Sequence, residues 1–173
     1  MERKKWFDRQ FNANNFENSF PSIIERLRGT PIRLEEKVGN LSKALLEIKP
    51  EGKWSIKEHV GHLIDLEPLW QGRLHDILEG TEFLRPTDLD NKKTDFANHN
   101  LTELNTLFLN FRAIRKQTIS LLEPLYDDTI FNRFALHPRL KTPMRPLDLF
   151  LFVAEHDDHH LVSIQEIVQS DIF

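Results

Sequence analysis

"TEFLRPTDLDNKKTDFANHN", residues 81–100, is the stretch on which the fold turns. It separates two segments whose apolar residues recur at helical spacing, one from Ser55 to about Gly80 and one from about Thr102 to Leu122. A link of about twenty residues is long for a simple helical hairpin. It is long enough to carry the chain back along a bundle, so the two flanking helices are expected to run parallel. The link "KPEGKW" at 49–54 is short by contrast, and it favours antiparallel neighbours.

The remaining elements follow from local signals. Pro21 to Arg28 reads as a short helical piece leading into a first long helix from Thr30 to Ile48, with Thr30 as its cap and Pro31 in its first position. The second helix opens on "SIKE", where Ser55 and Glu58 have capping-box spacing, and Gly80 is a natural stop. The third ends before Pro124. The fourth runs from Pro146 to about Gln169. No segment alternates convincingly as a strand, although "TIFNRFAL" (129–136) could form a short extended piece. The expectation is all-α: one domain over residues 1–173, a four-helix bundle with up-down-down-up topology.

Composition narrows the function. The 173 residues suit one domain with a single core. A net charge of −4 lacks the basic footprint of a nucleic-acid binder. With no cysteine, disulfides, thiolate ligands and a cysteine nucleophile are excluded. The charged start "MERKKWFDRQF" lacks an apolar signal region, and no apolar run is long enough to span a membrane. A cytoplasmic protein acting on a small molecule is the expectation.

The eight histidines are not spread evenly, for His156, His159 and His160 fall together in "EHDDHHLVSI" (155–164). On a helix His156 and His160 lie about 40° apart and one turn above each other, a geometry in which two imidazoles can share one metal ion. His159 falls to the other side and should be more exposed. The second helix offers His59 and His62, and periodicity does not choose between them, slightly favouring His59. His75, His99 and His137 read as surface residues.

Two carboxylates, Glu67 and Asp157, stand inside otherwise apolar stripes, which is costly unless they are paired. Either could orient a ligand imidazole or serve as a base, or be held by Arg112, Arg115 or Tyr126. The loop "HPRLKTPMRP" (137–146) could bring His137, Arg139 and Arg145 to a pocket mouth to meet an acidic substrate, though an ordinary polar loop explains it too. The thirteen phenylalanines read as core.

Taken together, Trp54, Ser55, His62 and Leu63 on the second helix, His156, His159 and His160 on the fourth, and the run "HPRLKTPMRPLDLFLFVAEHDDHH" (137–160) resemble the DinB superfamily. The resemblance spans roughly residues 20 to 169 and is nearest the branch that includes bacillithiol transferase and relatives labelled metal-dependent hydrolases. It implies a homodimeric four-helix bundle. It also implies one divalent metal, commonly zinc or nickel, on His62, His156 and His160, which breaks the tie against His59. Three imidazoles with an open position suit a catalytic rather than a structural ion. The expected activity is thiol-S-transfer to a small molecule, with a low-molecular-weight thiol as possible cofactor. The alternatives are hydrolysis by an activated water and a non-catalytic binding module.

Overall fold

A computed structural model describes residues 19–50, 52–125 and 132–170. Tyr126, the charged N-terminus and the first part of "TIFNRFAL" lie outside the described residues. In chain order the elements are α1 (Ser19–Val38), α2 (Lys43–Glu47), α3 (Ile56–Glu79), α4 (Lys92–Ala97), a 3₁₀ turn (His99–Leu101), α5 (Leu104–Leu122), β1 (Ala135–Leu136), β2 (Pro143–Met144) and α6 (Pro146–Ser170). No helix among them is long and apolar enough to cross a membrane.

The four long helices form a bundle whose directions can be read from its cross-links. Glu67 of α3 meets Arg115 of α5, and one turn further along both helices Gln71 meets Thr118. These two helices therefore run parallel. Helices α1 and α6 are parallel as well, since Arg26 reaches Glu155 and Lys37 reaches Gln165. Helices α3 and α6 are antiparallel, with His59 against His160 and Trp70 against Phe152. The result is the up-down-down-up order.

Local chemistry explains the helix ends. Ser55 accepts from the Glu58 amide while the Glu58 carboxylate accepts from the Ser55 amide, which closes the capping box of α3. Gly80 ends α3 in the left-handed conformation at φ 74°.

At the first helix the structure corrects the expectation. α1 runs unbroken from Ser19 to Val38 with Pro31 inside it, and the following residues form the separate short helix α2. Thr30 is no cap: its hydroxyl donates to the Arg26 carbonyl of its own helix and to Asp157. A proline inside a helix leaves the carbonyl four residues back without its usual donor. That carbonyl belongs to Leu27, and the Arg115 guanidinium donates to it at 3.2 Å. A tertiary bond thus replaces the missing helical one.

The core has two apolar layers. One holds Leu27, Trp70, Ile119 and Val153; the other holds Leu34, Leu63, Phe111 and Leu161. Between them every long helix contributes to one buried polar network: Thr30 of α1, Glu67 of α3, Arg115 and Thr118 of α5, and Asp157 of α6. Arg115 binds both carboxylates, through Nε to Glu67 at 2.6 Å and through Nη1 to Asp157 at 2.6 Å. Thr118 donates to Glu67 and Thr30 to Asp157. Arg112, a second candidate partner, instead pairs with Glu35.

The long 81–100 connection is not bare loop. It carries α4 and runs into the 3₁₀ turn, both packed on α3. The two-residue strands pair antiparallel, and Phe83 bridges to Leu136.

Candidate metal centre

His62 on α3 and His156 and His160 on α6 come together beside the polar layer. One ligand nitrogen from each lies within 4.8 Å of the others. All three are buried. His156 Nε2 and His160 Nε2 are 3.1 Å apart. Two nitrogens bound tetrahedrally to one zinc ion at about 2.0 to 2.1 Å would be about 3.3 Å apart. The donor set and its spacing therefore fit a divalent ion.

The other ring nitrogens show which atoms are left to bind it. His62 Nδ1 lies 3.0 Å from the Thr94 hydroxyl, which donates in turn to Asp65 at 3.0 Å. A hydroxyl that gives its proton to a carboxylate accepts from its other neighbour, so His62 carries its proton on Nδ1 and its lone pair on Nε2. His99 also binds Asp65, through Nε2 at 2.8 Å. His160 Nδ1 lies 2.8 Å from His59 Nδ1, which leaves Nε2 for an ion. Such bonds to the second nitrogen are what hold ligating imidazoles in place.

Burial also sets the charge state. It pushes the His62 imidazole down to about 3, with the neighbouring His59 lowering it further. Burial likewise holds His156 and His160 well below the ordinary range. All three are neutral at physiological pH, the form that binds metal. Burial alone would raise Asp65, but the hydrogen bonds from His99 and Thr94, with the electrostatic pull of His99 and Lys93, outweigh it and hold the carboxyl low, as an acceptor.

One glycine makes this arrangement possible. A Cβ at Gly61 would stand 2.1 Å from the His99 ring, so only glycine lets that ring lie against α3 and reach Asp65. Trp54 lies over His62 with ring centres 4.5 Å apart and donates its indole N–H to Asp95 of α4.

The three imidazoles sit in the wall of a cavity of about 300 Å³. Trp54, Trp70, Leu66 and Phe152 give it apolar walls, and His159 lines it as well. His159 is half-buried, and it is not one of the converging three.

Other sequence expectations fare differently. Glu67 and Asp157 are buried in the Arg115 network described above. His59 is not one of the converging three; its Nδ1 lies 2.8 Å from His160 Nδ1. His75 is a surface residue paired with Glu79. His99 and His137 are both buried, against the expectation. His99 is drawn in by Asp65, and His137 by the backbone amides of Arg139 and Leu140. His137 and Arg139 line the cavity, whereas Arg145 turns to Asp148 at the start of α6. Thr94, Asp65 and His99 were missed as supports. A Thr and a His inside a polar linker carry no periodic signal that places them against a helix.

A helical bundle with a buried histidine triad opening on a cavity defines a class of metal-site proteins. The chain belongs to the DinB superfamily, whose profile matches residues 26–164. Its fold is similar to that of YfiT from Bacillus subtilis, with a TM-score of 0.82 at 20% identity over 95% of this chain and 94% of that one. That protein is described as "a probable metal-dependent hydrolase with an unusual four-helix bundle topology". No curated protein matches the sequence.

Proposed function

We propose that this protein is a metal-dependent enzyme that holds one divalent ion, zinc or nickel, on His62, His156 and His160. In this reading it transfers a small-molecule thiol to an electrophile bound in the adjoining cavity. The observation that carries the reading is the convergence of three buried imidazoles within 4.8 Å in a cavity wall. A divalent ion held there would supply Lewis acidity, lowering the pKa of a thiol or a water that reaches it.

The chain's own residues do the rest. Burial keeps the three imidazoles neutral and available. Thr94 and His59 fix two of the rings. Trp54, Trp70 and Phe152 exclude water and offer flat apolar surface to a substrate.

Transfer is preferred because activating a thiol needs no strong base, whereas the described residues lining the cavity offer no free carboxylate. Among the described residues lining it, the one carboxylate is Asp88, and its oxygens accept the backbone amides of Asp90 and Lys92. A second reading is hydrolysis. It is supported by His159, which lines the cavity and could accept a proton from water.

The test loads purified, untagged protein with zinc or nickel. Conjugation of bacillithiol or glutathione to alkyl electrophiles is then measured beside hydrolysis of simple esters and amides. Conjugation well above hydrolysis supports transfer, and the reverse supports hydrolysis. Turnover of none by a metal-loaded protein leaves a binding module.

A further inference from the structure

Arg73 follows His62 by eleven residues on α3, which is about three turns, or about 16 Å along the same face of the helix. It is 2% exposed and lies in the wall of the cavity the histidines share. Its Nε donates to the Arg85 carbonyl at 3.1 Å, and its guanidinium lies 5.5 Å from the centre of the Trp70 ring. Its Nη2 is buried without a hydrogen-bond partner among the described residues. A guanidinium N–H shut away from water and left unpaired is costly, and buried polar groups are nearly always satisfied.

The nearest candidate to neutralise it is Asp76, one turn further on. Arg85 has taken that carboxylate, through its amide at 2.8 Å and its guanidinium at 2.7 Å. Gly72 permits this, because a Cβ there would stand 2.1 Å from Arg85 Nη1. Two arginines thus compete for one aspartate, and the buried one loses. Burial lowers Arg73 to about 10, with Asp76 pulling the other way, so it remains a cation at neutral pH.

His137 sits in the same cavity wall. Its Nδ1 accepts the amides of Arg139 and Leu140 at 3.3 and 3.1 Å, which places its proton on Nε2. Burial, with the charges of Arg73 and Arg139, lowers it to about 4, so it is a neutral donor. Arg139 adds a third basic group at the exposed rim.

We propose that Arg73, with His137 beside it, is the binding site for a carboxylate carried by the molecule that occupies the cavity. Arginine suits the task, since it holds its charge when buried and its fork matches a carboxylate. A carboxylate there leaves the other end of a small ligand to extend along Trp70 toward the histidines. The orientation of the ligand rests on the proposed metal centre; the carboxylate site itself does not.

The experiment is calorimetric titration of the full chain, zinc-loaded and zinc-free, with 3-phenylpropionate and with its neutral isostere 3-phenylpropanamide. The acid should bind at least about tenfold more tightly than the amide in both forms, the scale of one charge-assisted hydrogen bond. Arg73→Met should abolish that preference, so that the variant binds acid and amide alike. Should the variant not fold, the Arg73 Nε–H resonance of the wild-type zinc-free protein decides, and it should shift with the acid and not with the amide. The proposal is overturned if the acid binds no better than the amide, including no binding of either at millimolar concentration. It is equally overturned if the acid's preference appears only with zinc, if it survives Arg73→Met, or if the resonance does not move. Failure of the chain to bind zinc or to turn over any substrate would sink the proposed function and leave the zinc-free titration intact.

Discussion

Two buried polar clusters lie side by side between α3 and α6, and they are built on opposite principles. Around Arg115 one cation faces two carboxylates, and the hydroxyls of Thr30 and Thr118 donate to these as well. The second cluster is three neutral imidazoles, His62, His156 and His160, with one ring nitrogen of each within 4.8 Å of the others. The first cluster is complete by itself. The second is a donor set that fits a divalent ion, as the proposed function reads it. Removing one partner of a buried, paired charge strands the others, whereas converging neutral imidazoles offer ligands for a cation.

Arg115→Met should have the largest effect. It strands Glu67 and Asp157 and returns the Leu27 carbonyl to its orphaned state. Unfolding in urea should show a loss of about 3 to 5 kcal/mol. If the loss is below about 1 kcal/mol, the network is not the fold's central tie.

The histidines should behave in the reverse way. His62→Ala, His156→Ala or His160→Ala should leave the metal-free protein folded and weaken zinc binding by more than about a hundredfold in a competitive chelator titration. Unchanged affinity in any one of them would remove that residue from the site.

Residues that only support the ligands should show an intermediate loss. Thr94→Val and His59→Ala should each weaken zinc binding by about tenfold, since each leaves a ligand imidazole unheld. Gly61→Ala should act through the same chain by driving His99 off Asp65. Its melting temperature and zinc affinity should fall together, and a fully wild-type Gly61→Ala protein would show that His99 has no part in the support.

The smallest effect is on pH dependence. Burial holds His62 at about 3 and His137 at about 4, against an ordinary value of 6.5. Below pH 6.5 the unfolded chain therefore takes up protons that the folded chain refuses. Stability rises with pH through this window and is lost as pH falls. The metal-free melting temperature should drop by more than about 4 °C between pH 7 and pH 5. His137→Gln should make the drop shallower.

The linear chain determined much of this protein. Apolar periodicity and the Ser55, Gly80 and Pro146 signals set α3 and α6 to within a residue or so, because these are local interactions within one or two turns. The length of 81–100 implied parallel α3 and α5, because chain reach limits topology. One-turn spacing paired His156 with His160. Other features were decided only when the helices packed. Pro31 reads as a helix start, and it sits mid-helix because Arg115, 84 residues further along the chain, binds the carbonyl it orphans. Periodicity set His59 level with His62, but on the folded bundle His62 turns to the shared centre while His59 backs His160. Thr94 and His99 look like linker residues, yet folding presses them against the Gly61 face of α3. Arg73 and Arg85 look alike until Asp76 takes one of them. Each of these outcomes depends on which group another segment brings to a buried partner, and sequence spacing carries no record of that.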